Sequence, residues 1–237
     1  MGDLTVRGGP PRVRLLGRDG VGKSVLAAAL ERRGIATTKR DSGDANLYCL
    51  AGGLRATDRA AIATLAAGRT PLLVAWTKAD AAGSWRAADA RAAELAGELG
   101  RPVLAVMALL DVIGTDELDI ARRLAASAFA LPESVAEAAA ALGDDASVLV
   151  RTGGYGLACA IGALRETPSL STDELLPRLH ELSGVDLLAE PVIAAFAGFE
   201  ARREAEFDET LRTVARTDCA RRDEAEHLLL DRLARVS

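Results

Sequence analysis

Short apolar runs alternate with segments of helical period over the first half of the chain, and this texture changes at Leu131-Pro132. Arg12–Leu16, with Val13, Leu15 and Leu16, reads as a buried strand, and Val25–Leu30 as the helix after it. That helix ends near Arg32-Arg33-Gly34, where basic residues and a glycine suit a carboxyl end. Ile35–Lys39 holds Ile and two Thr and predicts a second strand. Asp41-Ser42-Gly43-Asp44 is a turn, and Asn46–Ala51 is a third apolar run, ended by Gly52-Gly53. Thr57 caps a predicted helix over Asp58–Ala67. Pro71–Trp76 is continuously apolar, as parallel strands covered on both faces tend to be. Ser84 starts a helix through Leu99 that Gly100 closes, Pro102–Leu110 is the last strand-like run, and Thr115 caps a helix to about Phe129. Such alternation predicts an α/β fold with a mostly parallel sheet flanked by helices.

No strand is assigned beyond residue 131, apart from Val148-Leu149-Val150, which fits a strand or a helix. Val135–Leu142 is helical in composition, Gly153-Gly154-Tyr155-Gly156 breaks the chain, and Leu157–Leu164 is an apolar helix. Ser171 or Thr172, with Glu174, caps a helix through Leu182-Ser183-Gly184. A helix from Leu187 or Pro191 to Phe199 continues into one long amphipathic helix, Glu200–Val236, with Phe207, Leu211, Val214, Leu229 and Leu233 on its apolar face. The expected division is an α/β domain over 1–130 and an all-helical subdomain over 131–237 that caps one face of it.

Composition narrows the picture. The chain is 49% hydrophobic but only 3% aromatic, so its core is built from small aliphatic side chains. A net charge of −5 gives no reason to expect nucleic acid as a partner. Cys49, Cys159 and Cys219 are far apart, which suggests neither a zinc site nor a disulfide framework and suits a reducing, cytoplasmic setting. No apolar run reaches the roughly 18 residues of a membrane span. Met1–Pro11 is a polar tail without the apolar core of a signal peptide, and Val6 stands where myristoylation wants Ser or Thr. Peripheral membrane contact stays open.

Two motifs carry chemistry. Gly17-Arg18-Asp19-Gly20-Val21-Gly22-Lys23-Ser24 fits G-x-x-x-x-G-K-[ST], between a strand and a helix as that motif requires. Its backbone N–H groups would converge on phosphate oxygens, Lys23 would reach the β- and γ-phosphates, and the Ser24 hydroxyl would ligand Mg²⁺. The alternative is a chance match in a chain with 22 glycines. The second motif, Thr77-Lys78-Ala79-Asp80, follows the buried Pro71–Trp76 run, with Lys78 lying 55 positions beyond Lys23. Alone it could be an ordinary polar strand end.

Together these motifs resemble the P-loop GTPases, over roughly residues 12–129. The resemblance implies that Asp80 accepts from guanine N1–H and the exocyclic amine, that the Lys78 stem packs along the base, and that Thr77 stands where the family usually has Asn. The family's third base-contacting loop falls on Met107, Ala108 and Leu109, with Met107 replacing the usual Ser. It implies GTP/GDP and Mg²⁺ as ligands and binding through Gly17, Asp19, Gly20, Val21, Gly22, Lys23 and Ser24. Asp19 is the one candidate for a catalytic role near the γ-phosphate, and otherwise a solvated loop residue. Asp41 could hold Mg²⁺ through water.

The departures matter as much. The Ala45–Ala51 strand begins 21 positions after Ser24, where the family fits an extra strand, a switch threonine and a D-x-x-G switch. Thr37 and Thr38 are the only candidates for that threonine, and no glutamine or arginine is identified for orienting a water. The expectation is a GTP-binding switch with slow or partner-dependent hydrolysis, activated by a protein partner or by dimerisation. The alternatives are a non-hydrolysing GTPase-like partner subunit, and a P-loop ATPase or kinase using Arg40, Arg55 or Arg59. His180 and His227 read as helix-face residues, and Trp76 and Trp85 as packing residues, with Trp85 bordering the nucleotide as the alternative.

Overall fold

Five strands form one sheet: β1 (Arg12–Leu16), β2 (Ala36–Thr38), β3 (Ala45–Leu50), β4 (Leu72–Thr77) and β5 (Leu104–Val106). They were obtained from a computed structural model, which describes residues 9–39, 43–127, 129–132 and 134–236. Every pairing is parallel, in the order β2-β1-β3-β4-β5. The architecture is thus α/β, with helices flanking an all-parallel sheet. β3 is buried along its whole length, Asn46 included, which is why it reads as a largely apolar run without alternation. β2 and β3 lie on either side of β1, although only residues 39–44 separate them in sequence. The order of strands reverses between β1 and β3, and at such a point the loops after the strands diverge and leave a crevice.

Strand periodicity assigns the two faces. Tyr48, Leu50, Val74, Trp76 and Ala105 point into the main core. There they meet Ile62 of α2 (Ala56–Ala66) and Ala88, Ala92 and Leu95 of α3 (Trp85–Leu99). The alternate residues Val13, Leu47, Cys49, Ala75 and Val106 are buried on the opposite face. That face is covered by α1 (Lys23–Arg32) over β1 and β2, and by α8 (Val185–Ala195) over β4 and β5, with α1 and α8 in contact.

The chain divides into two compact units, Arg12–Ala195 and Phe196–Ser237 with residues up to Pro11. The expected boundary at 130/131 therefore falls inside the larger unit. Between the sheet and α8 come α4 (Thr115–Ala125), α5 (Val135–Leu142), α6 (Ser147–Glu166) and α7 (Thr172–Glu181). Leu157, Ala160, Ile161 and Leu164 of α6 join the same core as α2 and α3. In the smaller unit, α9 (Phe199–Thr217) and α10 (Arg222–Val236) pack on each other. Leu211 and Ala225 are buried there, and Arg232 pairs with Asp208 at 2.6 Å and with Glu204.

Several local expectations are corrected. Arg55, not Thr57, caps α2, because the Asp58 carboxylate accepts from the Arg55 N–H at 3.0 Å. Gly114, not Thr115, precedes α4, where Glu117 accepts from the Gly114 N–H at 2.9 Å, and α4 ends at Ala125. The last strand is only Leu104–Val106, since the chain turns at Met107–Leu110. The single long helix is two, broken at Asp218, whose carboxylate accepts from the Ala220 N–H at 3.1 Å. The glycine cluster at 153–156 kinks α6 rather than ending it. Ala136–Glu166 is, by length and composition, apolar enough to cross a membrane, with an 18-residue window of mean hydropathy 1.3 that is 44% buried. It is interrupted by a 3-10 turn at Gly143–Ala146 and by the kink at Gly153. The capping residues Ser84 and Ser171 stand where expected, each side chain accepting a helix N–H. Most of the Met1–Pro11 tail lies outside the described residues.

Candidate functional site

The glycine loop between β1 and α1 forms at the carboxyl end of β1 because β3 comes too close for any side chain at its first residue. A Cβ on Gly17 would lie 2.3 Å from the Cys49 carbonyl oxygen, and φ is 122° there. The loop is held from outside as well. Arg18 donates from Nε to Asp58 at 3.1 Å and from Nη2 to the Ala51 carbonyl at 3.0 Å. Asp58 is fully buried and also accepts from the Tyr48 hydroxyl at 2.9 Å. Burial, with that bond to Asp58, pushes the Tyr48 phenol up to about 12. Lys23 folds back along the loop, its Nζ donating to the Gly17 and Arg18 carbonyls at 2.7 and 2.5 Å, with Asp19 3.7 Å away.

The second loop begins where β4 ends. Thr77 is buried, and its hydroxyl lies 2.5 Å from the Val21 carbonyl and 2.7 Å from the Leu50 carbonyl. One proton can serve only one of them at a time. Lys78 is the only non-glycine with positive φ among the described residues, at 56°, a conformation that costs free energy and collects at functional sites. It turns the chain so that Asp80 enters a 3-10 turn over Ala79–Ala82. The Lys78 stem lies along the glycine loop, 3.9 Å from where a Cβ on Gly22 would sit. Asp80 is partly buried, and desolvation raises its carboxyl above the ordinary range, against the opposing effects of its own backbone N–H and of Lys78.

The turn after β5 supplies the third wall. It is clamped to α1 through Asp111, which is 3% exposed and accepts from Arg33 at 2.8 Å and from Arg32. Arg33 also reaches Asp186 of α8 at 2.5 Å, which holds that carboxyl below its usual range.

These three loops enclose a cleft of about 590 Å³ at the carboxyl ends of the strands. Asp19, Gly20, Gly22, Lys23, Ser24, Thr77, Lys78, Asp80, Ala108 and Leu109 line it, together with Val25. Gly17, Val21 and Met107 do not. Val21 is buried, and Met107 is a core residue whose N–H donates to the Ser183 carbonyl at 2.8 Å. Asp41 and Arg40 lie outside the described residues. Thr37 is bonded to Glu31 at 2.5 Å, and neither it nor Thr38 lines the cleft. Arg59 pairs with Glu98. Trp85 packs at Gly184, where a Cβ would meet its ring at 2.6 Å, and Trp76 donates to the Gly52 carbonyl at 3.3 Å. His180 lies 3.2 Å from the Ile113 carbonyl, and His227 is exposed, 3.7 Å from Asp231.

Sequence reasoning missed the Arg18–Asp58–Tyr48 network and the approach of α6 to Asp80. The first had a signal, an arginine inside the glycine loop and an acid at the third position of a helix. The second had only the glycine cluster. Among the described residues no group of three metal-ligating side chains exists. Among the side chains lining the cleft, the Ser24 hydroxyl beside Lys23 is one that could hold a cation, the remaining ligands coming from water or from a bound ligand. Comparison with family models, with curated proteins and with solved structures found no match.

Proposed function

We propose that the chain binds a guanine nucleoside di- or triphosphate with Mg²⁺ through a P-loop, and hydrolyses the triphosphate slowly or only with a protein partner. The observation that carries the reading is the meeting of Lys23 and Asp80, 57 positions apart in sequence, on the wall of one cleft. A cation beside loop N–H groups suits the phosphates, and a carboxylate suits a base edge that presents two donors. Adenine lacks that donor pair, so the chemistry at Asp80 favours guanine. Ser24 is the hydroxyl that would hold Mg²⁺, whose role would be to bridge and neutralise phosphate oxygens.

The same wall supports slow turnover. Attack on the γ-phosphate needs an oriented water and charge stabilisation. The 237 residues contain no glutamine, and no arginine lines the cleft among the described residues. Asp19 is the only acid near Lys23 there, and it is fully exposed.

The test is competition of GTP, XTP and ATP for the wild-type and Asp80→Asn proteins. Asparagine turns one acceptor into a donor facing the guanine amine, whereas xanthine offers that donor a carbonyl. Hydrogen bonds to charged groups contribute about 1.5–3 kcal/mol each, so preference should swing toward XTP by roughly tenfold or more. A wild type that prefers ATP moves the reading to a P-loop ATPase or kinase. A wild type that binds none of the three leaves a partner subunit without nucleotide. Rapid multiple turnover by dilute isolated protein would contradict the dependence on a partner.

A further inference from the structure

We infer that the kink of α6 at Gly153 is the back wall of the cleft's base end, and that Gly153 is a positioning residue acting through Asp80. The inference rests on the guanine-nucleotide reading above. Gly153 has φ 66° and ψ 163°, a backbone region open in practice only to glycine. A Cβ there would stand 3.3 Å from Leu109 Cδ1 and 3.6 Å from Asp80 Oδ2. Both of those residues line the cleft, while Gly153 does not. The helix backbone thus packs against two side chains that line the cleft without lining it itself.

The surroundings make this a fixed wall. Thr152 is buried, with its hydroxyl 2.9 Å from the Val148 carbonyl and 3.0 Å from the Gly153 carbonyl. One turn on, Gly156 sits against the segment that follows Leu109, where a Cβ would lie 3.2 Å from Ile113 and 3.4 Å from Leu110. One helix therefore backs both the Asp80 turn and the Leu109 turn. Its approach also removes water from the carboxylate, in line with the raised Asp80 carboxyl. By contrast, a Cβ on Gly154 would meet nothing within 4 Å, and its φ is not positive.

That contrast supplies the test. Affinities for GTP, ITP and ATP are measured, with Mg²⁺, on wild type, Gly153→Ala and Gly154→Ala, alongside thermal melts. ITP keeps N1–H but lacks the amine, so the GTP/ITP ratio reads the second Asp80 oxygen alone. Wild type is expected to prefer GTP by roughly tenfold or more. Gly153→Ala should bring that ratio to within about threefold by weakening GTP and sparing ITP, and Gly154→Ala should keep the wild-type ratio. A general loss of fold would weaken both nucleotides together. If Gly153→Ala discriminates as well as wild type, the positioning role is wrong and the guanine reading stands. If wild type binds GTP no better than ATP, the guanine reading fails and this inference with it; if it prefers GTP to ATP but not to ITP, the guanine reading stands and this inference fails. Should Gly153→Ala not fold, deuterium exchange on wild type decides: GTP, and not inorganic tripolyphosphate, should slow exchange over residues 150–157. Equal or absent protection by the two overturns the proposal.

Discussion

The Thr77 hydroxyl stands 2.5 Å from the Val21 carbonyl, tying the end of β4 to the glycine loop across 56 residues of sequence. Replacing it with valine keeps the shape and removes the donor, leaving a buried carbonyl unsatisfied. Thr77→Val is expected to lose about 1–3 kcal/mol of stability in denaturant titration and to weaken nucleotide binding. Thr77→Ser, which keeps the hydroxyl, should lose less on both counts. Equal losses for the two would mean that the methyl, not the bond, matters.

Lys23 donates to two loop carbonyls, at a partly exposed site. Losing it should therefore cost affinity more than stability. Two charge-assisted phosphate contacts at about 1.5–3 kcal/mol each imply at least a hundredfold weaker binding for Lys23→Ala. Calorimetry and a melting curve on the same sample check both halves of the statement.

The Arg18–Asp58 pair predicts the opposite balance. Arg18→Ala leaves a fully buried carboxylate with only Tyr48 and the Arg55 N–H. Breaking a buried pair from one side destabilises strongly, here on the order of 3 kcal/mol, with some relief from water reaching the Arg18 side. Adding Asp58→Asn should recover part of the loss, because the uncompensated charge is gone. A double mutant no more stable than Arg18→Ala would speak against this account.

Asp80 adds a pH dependence. Desolvation raises its carboxyl in the folded protein, so the folded state holds this proton more tightly than the unfolded chain. The stability it contributes is present below the unfolded-state value and is lost as pH rises through the higher folded-state value. At neutral pH the empty Asp80→Asn protein should therefore melt above wild type, and the gap should close in acid. GTP binding, which uses the charged form, should weaken as pH falls through that raised value. Melting curves without nucleotide, at several pH values, test the first part.

The alternation of strands and helices up to α4 was legible because strands such as β4 leave apolar runs between helical segments, and Ser84 marks the start of α3. The starts of α2 and α4 instead lay at Arg55 and Gly114, where the capping acid sits three residues on and the first residue carries no cap signal. β5 was overread, since Met107–Leu110 stays apolar after leaving the sheet, and hydrophobicity does not distinguish a strand from a buried turn. Asp218 broke the last helix without glycine or proline, through its own carboxylate. At the site, Lys23, Thr77 and Asp80 could be named in advance because their spacing carries chemistry. Gly153 could not, because what matters there is a backbone brought in from 73 positions beyond Asp80.

The helix that closes the sheet over β4 and β5 is α8, which begins at Val185, 169 positions beyond the last residue of β1, Leu16. Sheet pairing here is parallel throughout, so no hairpin can seed it locally. A chain emerging from the ribosome therefore carries all five strands while Ala75 and Val106 still face water on the flank that α8 will cover. A fragment ending at residue 130 is caught in that state, and it should aggregate where one ending at residue 195 stays in solution. The apparent join between an α/β half and a helical half at residue 130 thus falls where the chain has its cleft loops but not yet a finished interior.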